Sequence, residues 1–311
     1  MKPPLLLNAV STLVLHRLAT NKHGSATPLV LKRSTAIPLE ITYLCDPEKV
    51  KPEDVPPPRF PSRLPPPGEH TLALNIGQRI DEGRVGMIHS VVVDASASSA
   101  AESFHIPPLV VKICAPGRTS DMLNEAASYD EMELLQGVCV PRCYGLFQTS
   151  YNLEELDIPA LLDRKKRDEE LRCELEEDSD DDEILEPIIY DDILSVLLIE
   201  RVGDRLQLGR SLPHGVREDM TDMYNDIGRL YLCHNDIRYS NFLSAMPEDQ
   251  GGLPSLASPS TGRTYSWRAV DFDLMKKTAL SEESFSAYHL GFILRLLDNV
   301  PYGCIVEPWE W

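Results

Sequence analysis

The sequence is short of positive charge. Its 30 lysine and arginine residues face 49 aspartate and glutamate residues, so the formal net charge is -19 at pH 7. Nucleic-acid binding needs clustered Lys and Arg against phosphates, and docking on an anionic membrane surface needs a similar cluster. We therefore expect no nucleic acid and no membrane surface among the partners.

Paired cysteines and long apolar runs are also missing. The seven cysteines are scattered without a Cys-x-x-Cys pair, which favours buried free thiols in a reducing compartment over a disulfide framework or a metal site. No apolar run reaches the length of a membrane-spanning helix. We expect a cytoplasmic or nuclear protein. The alternative is a mitochondrial presequence, because basic residues but no acidic ones precede Glu40.

Two segments of biased composition divide the chain. The proline-rich residues 51–68 predict an extended linker at the end of an N-terminal extension, residues 1–70. Residues 151–192 form a charged insertion whose first half is compatible with an exposed helix and whose acidic second half predicts disorder. We interpret the insertion as a solvated surface segment. The alternative is a regulatory loop that docks a basic partner, in which Ser179 resembles a site for an acid-directed kinase.

Hydrophobic periodicity predicts the elements that follow residue 70. Strands are predicted at 71–80, 85–95, 108–114, 140–147 and 193–202, and helices at 121–136, 216–233 and 283–297. The order is therefore three strands, one helix and two strands, followed by a helical region with two short apolar segments.

The strongest motif directly follows the helix predicted at 216–233. Residues 234–241 read HNDIRYSN, which resembles the catalytic loop H-x-D-x-x-x-x-N of the protein kinases. In that chemistry a carboxylate orients the acceptor hydroxyl and takes its proton, while an amide binds Mg²⁺ on the same phosphates. The resemblance implies that Asp236 is the catalytic base, Asn241 a metal ligand and Arg238 a cation that steadies the transferring phosphate. The alternative is a polar surface turn.

Two further motifs occur in the order that the family requires. Asp271 begins D-F-D after a predicted strand, which resembles the family's D-F-G and implies a second magnesium ligand. Lys112 lies in the strand LVVKIC, which resembles V-A-I-K. The resemblance pairs Lys112 with Glu125 on the next helix, so that the lysine contacts the nucleotide phosphates. The alternatives are a turn aspartate and a solvent-facing strand lysine.

A glycine-containing turn joins the strands predicted at 71–80 and 85–95. Gly83 and Gly86 match the second and third glycines of G-x-G-x-x-G-x-V, and both would let backbone N–H groups approach phosphate. The resemblance places Val85 at the tip of the loop and Ile88 above the adenine. Two glycines between strands also suit an ordinary hairpin.

The strand predicted at 193–202 supplies the last piece of the site. LLIERVG resembles the segment that joins the two lobes of a protein kinase. By position, Ile199 is the gatekeeper, and the backbones of Glu200 and Val202 bond adenine.

Together the motifs imply an α+β, two-lobed protein-kinase-like fold, closest to fungal protein-kinase-like proteins. The implied N-lobe at 71–203 has an antiparallel sheet and one αC helix, and the implied C-lobe at 204–311 is shortened and mainly helical. Asn235 replaces the Arg that normally pairs with a phosphorylated activation loop, which puts control by such phosphorylation in doubt. Asp273 replaces the glycine of D-F-G, and no A-P-E motif follows.

The expected function is transfer of the γ-phosphate of ATP, with Mg²⁺, to a Ser or Thr hydroxyl of a protein. Each residue type that the reaction requires is present, which argues against loss of catalysis through the active site. Two alternatives stay open. A short C-lobe also suits a small-molecule hydroxyl as acceptor, and a pseudokinase or scaffold would bind partners without transferring phosphate.

Overall fold

The structure, a computed structural model, describes residues 3–43, 50–151, 156–178 and 192–305. The chain divides into two compact units. The first consists of Met1–Thr35, Leu64–Met122 and Tyr144–Ile199, and the second of Ala36–Arg63, Leu123–Cys143 and Glu200–Trp311. The acidic stretch that includes Ser179 lies outside the described residues.

A sheet that closes on itself dominates the first unit. In spatial order its strands are β2 (Ala26–Ser34), β7 (Cys143–Ser150), β9 (Ile193–Glu200), β6 (Leu109–Cys114), β5 (Gly86–Val93), β4 (His70–Glu82) and β1 (Val10–Asn21). Pairing of β1 with β2 closes the ring. Strand β1 runs parallel to β4, whereas the β1–β2, β4–β5 and β5–β6 pairs are antiparallel. Closure leaves none of these strands as an open edge over its full length.

All seven strands of the ring contribute side chains to one hydrophobic core. Alternation along β2 shows how the pattern selects the buried face, since Leu29 and Leu31 are buried while Val30 between them is 50% exposed. Strand β6 is buried at every position. Two helices, α1 (Ser99–Ser103) and α3 (Pro159–Asp178), and the two-residue strand β8 (Leu156–Asp157) complete this unit. Helix α3 begins in the first half of the insertion, where the sequence was compatible with an exposed helix.

The second unit combines helices with short strands. Its helices are α2 (Thr119–Glu131), which enters the unit at Leu123, α4 (Val216–Gly228) and α5 (Glu282–Asn299). Its strands are β3 (Ile41–Thr42), β10 (Leu232–His234), β11 (Phe242–Ser244), β12 (Trp267–Ala269) and β13 (Met275–Thr278). They form a three-stranded sheet in the order β10–β13–β3 and an antiparallel pair of β11 with β12.

The expected two-lobed protein-kinase-like fold is wrong. The first unit is a closed seven-stranded sheet with a parallel pair, not an antiparallel sheet with one αC helix. The described residues contain only five α-helices, and the described part of 204–311 contains two helices and four short strands, so it is not mainly helical. The physical reason lies in residues 10–34, which composition assigned to an extension but which supply the two strands that close the ring.

None of the helices among the described residues is long and apolar enough to cross a membrane.

The closed sheet leads to a test on adjacent residues of β2. Leu31→Ala is expected to lower the free energy of unfolding by about 2–5 kcal/mol, because it opens a cavity in the core. Val30→Ala is the matched control and is expected to cost no more than about 0.5 kcal/mol, since the side chain is half exposed. Urea denaturation followed by circular dichroism measures both values. Equal losses from the two variants would contradict a core that includes β2.

Candidate active site

The second unit places Asp236 and Asn241 side by side. They lie between β10 and β11, in a loop that ends with a 3₁₀ turn at Tyr239–Asn241. Asp236 is only 2% exposed. The Asn241 amide Nδ2 donates to the Asp236 carbonyl oxygen at 2.9 Å and to its carboxylate Oδ2 at 3.1 Å. These two bonds fix the carboxylate and leave the Asn241 Oδ1 directed away from it.

The guanidinium of Arg238 forms an ion pair with the same carboxylate oxygen, Asp236 Oδ2. The Arg238 side chain is 29% exposed, whereas the Asp236 side chain is 3% exposed. A buried carboxylate needs such a partner because desolvation otherwise disfavours its charged form. Arg238 thus neutralises Asp236 while part of its own side chain reaches solvent.

Strand pairing brings Asp271 next to this loop. Phe242 on β11 lies opposite Ala269 on β12, and the Val270 N–H donates to the Asn241 carbonyl at 3.1 Å. Asp271 therefore follows directly from a residue bonded to Asn241. Its φ angle is +67°, a left-handed conformation that a non-glycine residue adopts only where its surroundings hold it.

His234 holds the backbone at Asp271. Its Nε2 lies 3.0 Å from the Asp271 carbonyl oxygen, and its Nδ1 lies 2.8 Å from the Tyr224 hydroxyl of α4. Because a carbonyl can only accept, Nε2 carries the proton, so Nδ1 accepts from the tyrosine. The His234 N–H donates to Nε2 of His289 on α5 at 3.3 Å. His234 therefore joins two helices to the loop that carries Asp271, α4 through its imidazole and α5 through its backbone N–H.

Both histidines are kept neutral by their surroundings. Burial lowers the pKa of His234 below its ordinary value, despite the hydrogen bond to the Asp271 carbonyl. Burial, followed by repulsion from His234, lowers the pKa of His289 to about 3. A neutral imidazole is required here because Nδ1 of His234 must accept a hydrogen bond.

Phe272, the residue after Asp271, is fixed by the packing of its ring. Its ring is fully buried and packs edge-on against Tyr129 of α2, with the ring centroids 5.2 Å apart, and against His234 at 5.3 Å. Burial raises the pKa of Tyr129 well above its ordinary value, and the neighbouring Glu125 carboxylate adds to the increase. Glu125 is buried on α2. Its pairing with Lys112 remains a prediction.

The predicted adenine-binding segment contains an ion pair that the sequence did not suggest. The Glu200 carboxylate accepts from the Arg142 guanidinium at 2.8 Å and from its backbone N–H at 3.0 Å. The Arg142 Nη2 also donates to the Pro254 carbonyl at 2.9 Å. Val202 lies two residues beyond Glu200 in irregular backbone that is partly exposed. The side chain of Glu200 thus stabilises this segment, and the binding of adenine by its backbone remains a prediction.

The first unit contains the predicted phosphate-binding turn. Strands β5 and β6 place Ile88 opposite Lys112, and Lys112 is buried. The Gly83 N–H donates to the Gly86 carbonyl at 2.9 Å, which closes the turn. Val85 is buried, so the exposed tip is formed by its neighbours rather than by Val85 itself. Ile199, on β9 of the same sheet, is also buried.

The space available for a side chain differs between the two glycines of the turn. A β-carbon at Gly86 would lie 2.3 Å from the Ile113 carbonyl oxygen, so only glycine fits beside β6. A β-carbon at Gly83 would meet nothing within 4 Å. Gly86 is therefore required by strand packing, whereas Gly83 keeps the exposed side of the turn bare.

Helix α3 contacts this turn. Arg164 donates from Nη1 to the Glu82 carboxylate at 2.9 Å and to the Gly83 carbonyl at 3.0 Å, and Arg167 donates to the same Glu82 oxygen at 2.5 Å. Desolvation opposes ionisation of Glu82, but the bonds from both arginines outweigh it and lower the pKa of Glu82. The charged insertion is thus attached to the turn through its first helical turns.

Several residues of these sites were missed by the sequence analysis. Tyr224 and His289 lie in segments that were predicted only as helices, and Arg142 lies in the segment 140–147 that was predicted as a strand. The chemical signal for the first two was polarity on a buried face, because a buried Tyr or His usually has a hydrogen-bond partner. For Arg142 no local pattern pointed to Glu200.

The predicted metal ligands have a donor set that suits magnesium. Asp271 offers a carboxylate and Asn241 a carboxamide oxygen, and Mg²⁺ prefers oxygen ligands supplied by one or two side chains together with substrate phosphates. Within the described residues, no three His, Cys, Asp or Glu side chains gather as a metal-binding group.

No protein-family model matches this chain, and a search of curated proteins finds no match. Function must therefore be inferred from the side chains of the chain itself.

The two neutral histidines predict how stability depends on pH. In the unfolded chain a histidine has a pKa of about 6.5, and the folded pKa values are lower. Below about pH 6.5 the unfolded state binds protons that the folded state does not, so the free energy of unfolding decreases as the pH is lowered. Each histidine contributes up to about 1.4 kcal/mol per pH unit. This contribution is fully present above pH 6.5.

The variant His289→Gln tests this prediction. Urea unfolding between pH 7.5 and pH 5 should show a shallower loss of stability in this variant than in the unchanged protein. The control His23→Gln alters an exposed histidine and should keep the original slope. An identical slope in all three proteins would show that His289 is not buried as a neutral group.

Proposed function

We propose that this protein is an ATP- and Mg²⁺-dependent phosphotransferase that transfers the γ-phosphate to a hydroxyl group, with Ser or Thr of a protein as the acceptor. The observation that carries the proposal is the arrangement of Asp236, Asn241 and Asp271, which strand pairing and two amide hydrogen bonds bring together in the second unit. A base and two oxygen ligands for a metal are the parts that phosphoryl transfer needs.

Asp236 has the geometry of a general base. Among the described residues, its side-chain hydrogen bonds are all made by Oδ2, to Arg238 and Asn241. We therefore assign Oδ1 as the atom that orients the acceptor hydroxyl and takes its proton. Arg238 cancels part of the negative charge of Asp236 and supports the charge that develops on the transferring phosphate.

Asn241 and Asp271 would hold the magnesium ion. When bound, Mg²⁺ neutralises charge on the phosphate oxygens and keeps them in line for transfer. Within the protein, the Asn241 Nδ2 bonds to Asp236 set the carboxamide so that its Oδ1 points elsewhere. His234 fixes the Asp271 backbone through the carbonyl bond. Separate hydrogen bonds thus position the two ligands.

In the first unit, the turn at Gly83 and Gly86 and the buried Lys112 have the composition of a phosphate-binding site. The Gly83 N–H is used within the turn and Gly86 is buried, so an anion would have to be approached by the N–H groups of neighbouring residues beside the bare Gly83. An ammonium group on a rigid, fully buried strand is held in place without loss of side-chain freedom on binding. We assign these residues of the first unit to phosphate binding. In the second unit, we assign the backbones of Glu200 and Val202 to adenine binding.

The proposal concerns side-chain chemistry and is independent of the rejected fold. The same chemistry recurs on unrelated folds, so a site must be judged by its own groups.

Asp236→Asn provides the test of the catalytic base. Loss of the base is expected to reduce phosphate transfer by about 10²–10⁴-fold, while binding of Mg²⁺·ATP persists because the metal ligands remain. Transfer of ³²P from labelled ATP to protein and metabolite mixtures, together with isothermal titration, measures both properties. The control Asp298→Asn changes an exposed carboxylate and should behave like the unchanged protein.

The outcomes of this test separate the candidate functions. Label in the protein fraction supports a Ser or Thr acceptor, and label only in the metabolite fraction supports a small-molecule hydroxyl. ATP binding without transfer in the unchanged protein would favour a nucleotide-binding scaffold. Full activity of Asp236→Asn would reject Asp236 as the base.

Lys112→Met tests the nucleotide site in the first unit. The variant keeps the apolar stem of the side chain but removes the ammonium group that would contact phosphate. The increase in melting temperature caused by Mg²⁺·ATP is expected to shrink, because weaker binding gives less stabilisation by mass action. Lys166→Ala is the control, since its side chain is 77% exposed. Equal increases in both variants would leave Lys112 without a role in binding.

A further inference from the structure

Residues 271–278, here called the metal loop, run from Asp271 through Phe272 into β13. The loop begins with a left-handed residue at Asp271. Such a conformation persists in a non-glycine residue only when neighbouring groups determine it. The groups that contact the rest of the loop therefore decide whether the Asp271 carboxylate is held in place.

Three polar residues of α2 contact successive positions of the metal loop. Asn124, Ser128 and Glu131 are spaced i, i+4 and i+7, so they share one face of the helix. Asn124 Nδ2 donates to the carbonyls of residues 273 and 275, at 2.7 and 3.1 Å. The Ser128 Oγ lies 3.3 Å from the Phe272 carbonyl, but its one hydroxyl proton has a closer acceptor in the Asn124 carbonyl at 2.8 Å. We call these three residues the α2 stripe.

The third member of the α2 stripe forms a buried ion pair with the loop. The Glu131 carboxylate lies 2.8 Å from the Lys277 ammonium, and both side chains are only 7% exposed. Separating a buried ion pair leaves a charge without compensation, so such a pair resists displacement. The α2 stripe therefore holds the metal loop near both ends.

Two other groups support the metal loop from different directions. The Asn235 Nδ2 donates to the Leu274 carbonyl at 3.2 Å, and its Oδ1 accepts from the Tyr288 hydroxyl of α5 at 3.1 Å. Strand β3 pairs with β13, with Ile41 opposite Lys277.

We propose that the α2 stripe positions Asp271 by holding the backbone of the metal loop that follows it. This inference rests on the proposed function. Asn124 is a positioning residue, because it would act on the metal through the backbone of the loop.

Asn124→Ala is the variant that tests the inference. Removing both donor bonds is expected to raise the Mg²⁺ concentration needed for half-maximal ATP binding by about 10–100-fold, the usual effect of losing a group that orients a metal ligand. The ATP concentration needed at saturating Mg²⁺ should be unchanged, which separates a role in metal binding from general damage. Asn299→Ala removes a comparable bond to the Arg295 carbonyl within α5 and should alter neither value.

Hydrogen exchange gives a second measurement. The backbone amides of residues 271–278 should exchange slowly in the unchanged protein without ligand, and faster in Asn124→Ala. Fast exchange of these amides in the unchanged protein would overturn the inference, and so would an unaltered Mg²⁺ requirement in Asn124→Ala. If the unchanged protein does not bind ATP with Mg²⁺, the proposed function fails, and this inference fails with it.

Discussion

The arrangement of the second unit depends on one neutral imidazole. His234 donates to the Asp271 carbonyl, accepts from Tyr224 of α4 and, through its backbone N–H, bonds His289 of α5. Charging this ring would remove the acceptor that Tyr224 uses and place a cation in a site without solvent. Burial therefore sets the protonation state, the protonation state sets the direction of the hydrogen bonds, and those bonds place the backbone of a predicted metal ligand.

The first unit follows a different principle. Its stability comes from a closed sheet whose apolar side chains form one core, and its candidate site is a turn between β4 and β5. Arg33 shows how a charged side chain links the strands of the closed sheet. Its guanidinium donates to the carbonyls of Val10 and Tyr144 and lies over the Phe147 ring. Charged side chains thus join strands where hydrophobic packing alone would not fix the register.

Local pattern was enough to predict many of the elements. The strands predicted at 71–80 and 108–114 are present as β4 and β6, and the helix predicted at 216–233 is present as α4. The fold was predicted wrongly because closure depends on the parallel pairing of β1 with β4, which joins residues far apart in sequence and leaves no local signature.

The candidate site shows the same division. The spacing from Asp236 to Asn241 could be read directly, since both residues lie in one short loop. The role of the α2 stripe could not be predicted from the sequence, because polar residues on a helix usually indicate a face exposed to solvent. Their spacing of four and three residues was the available signal, but it acquires meaning only when a partner segment is known to lie against that face.

Gly86 has a consequence for how this chain can change. The carbonyl of Ile113 leaves no space for a side chain there, so every sequence that adopts this backbone must retain glycine at the corresponding position. That glycine gives a steric marker by which a diverged relative can be recognised after most other similarity has been lost.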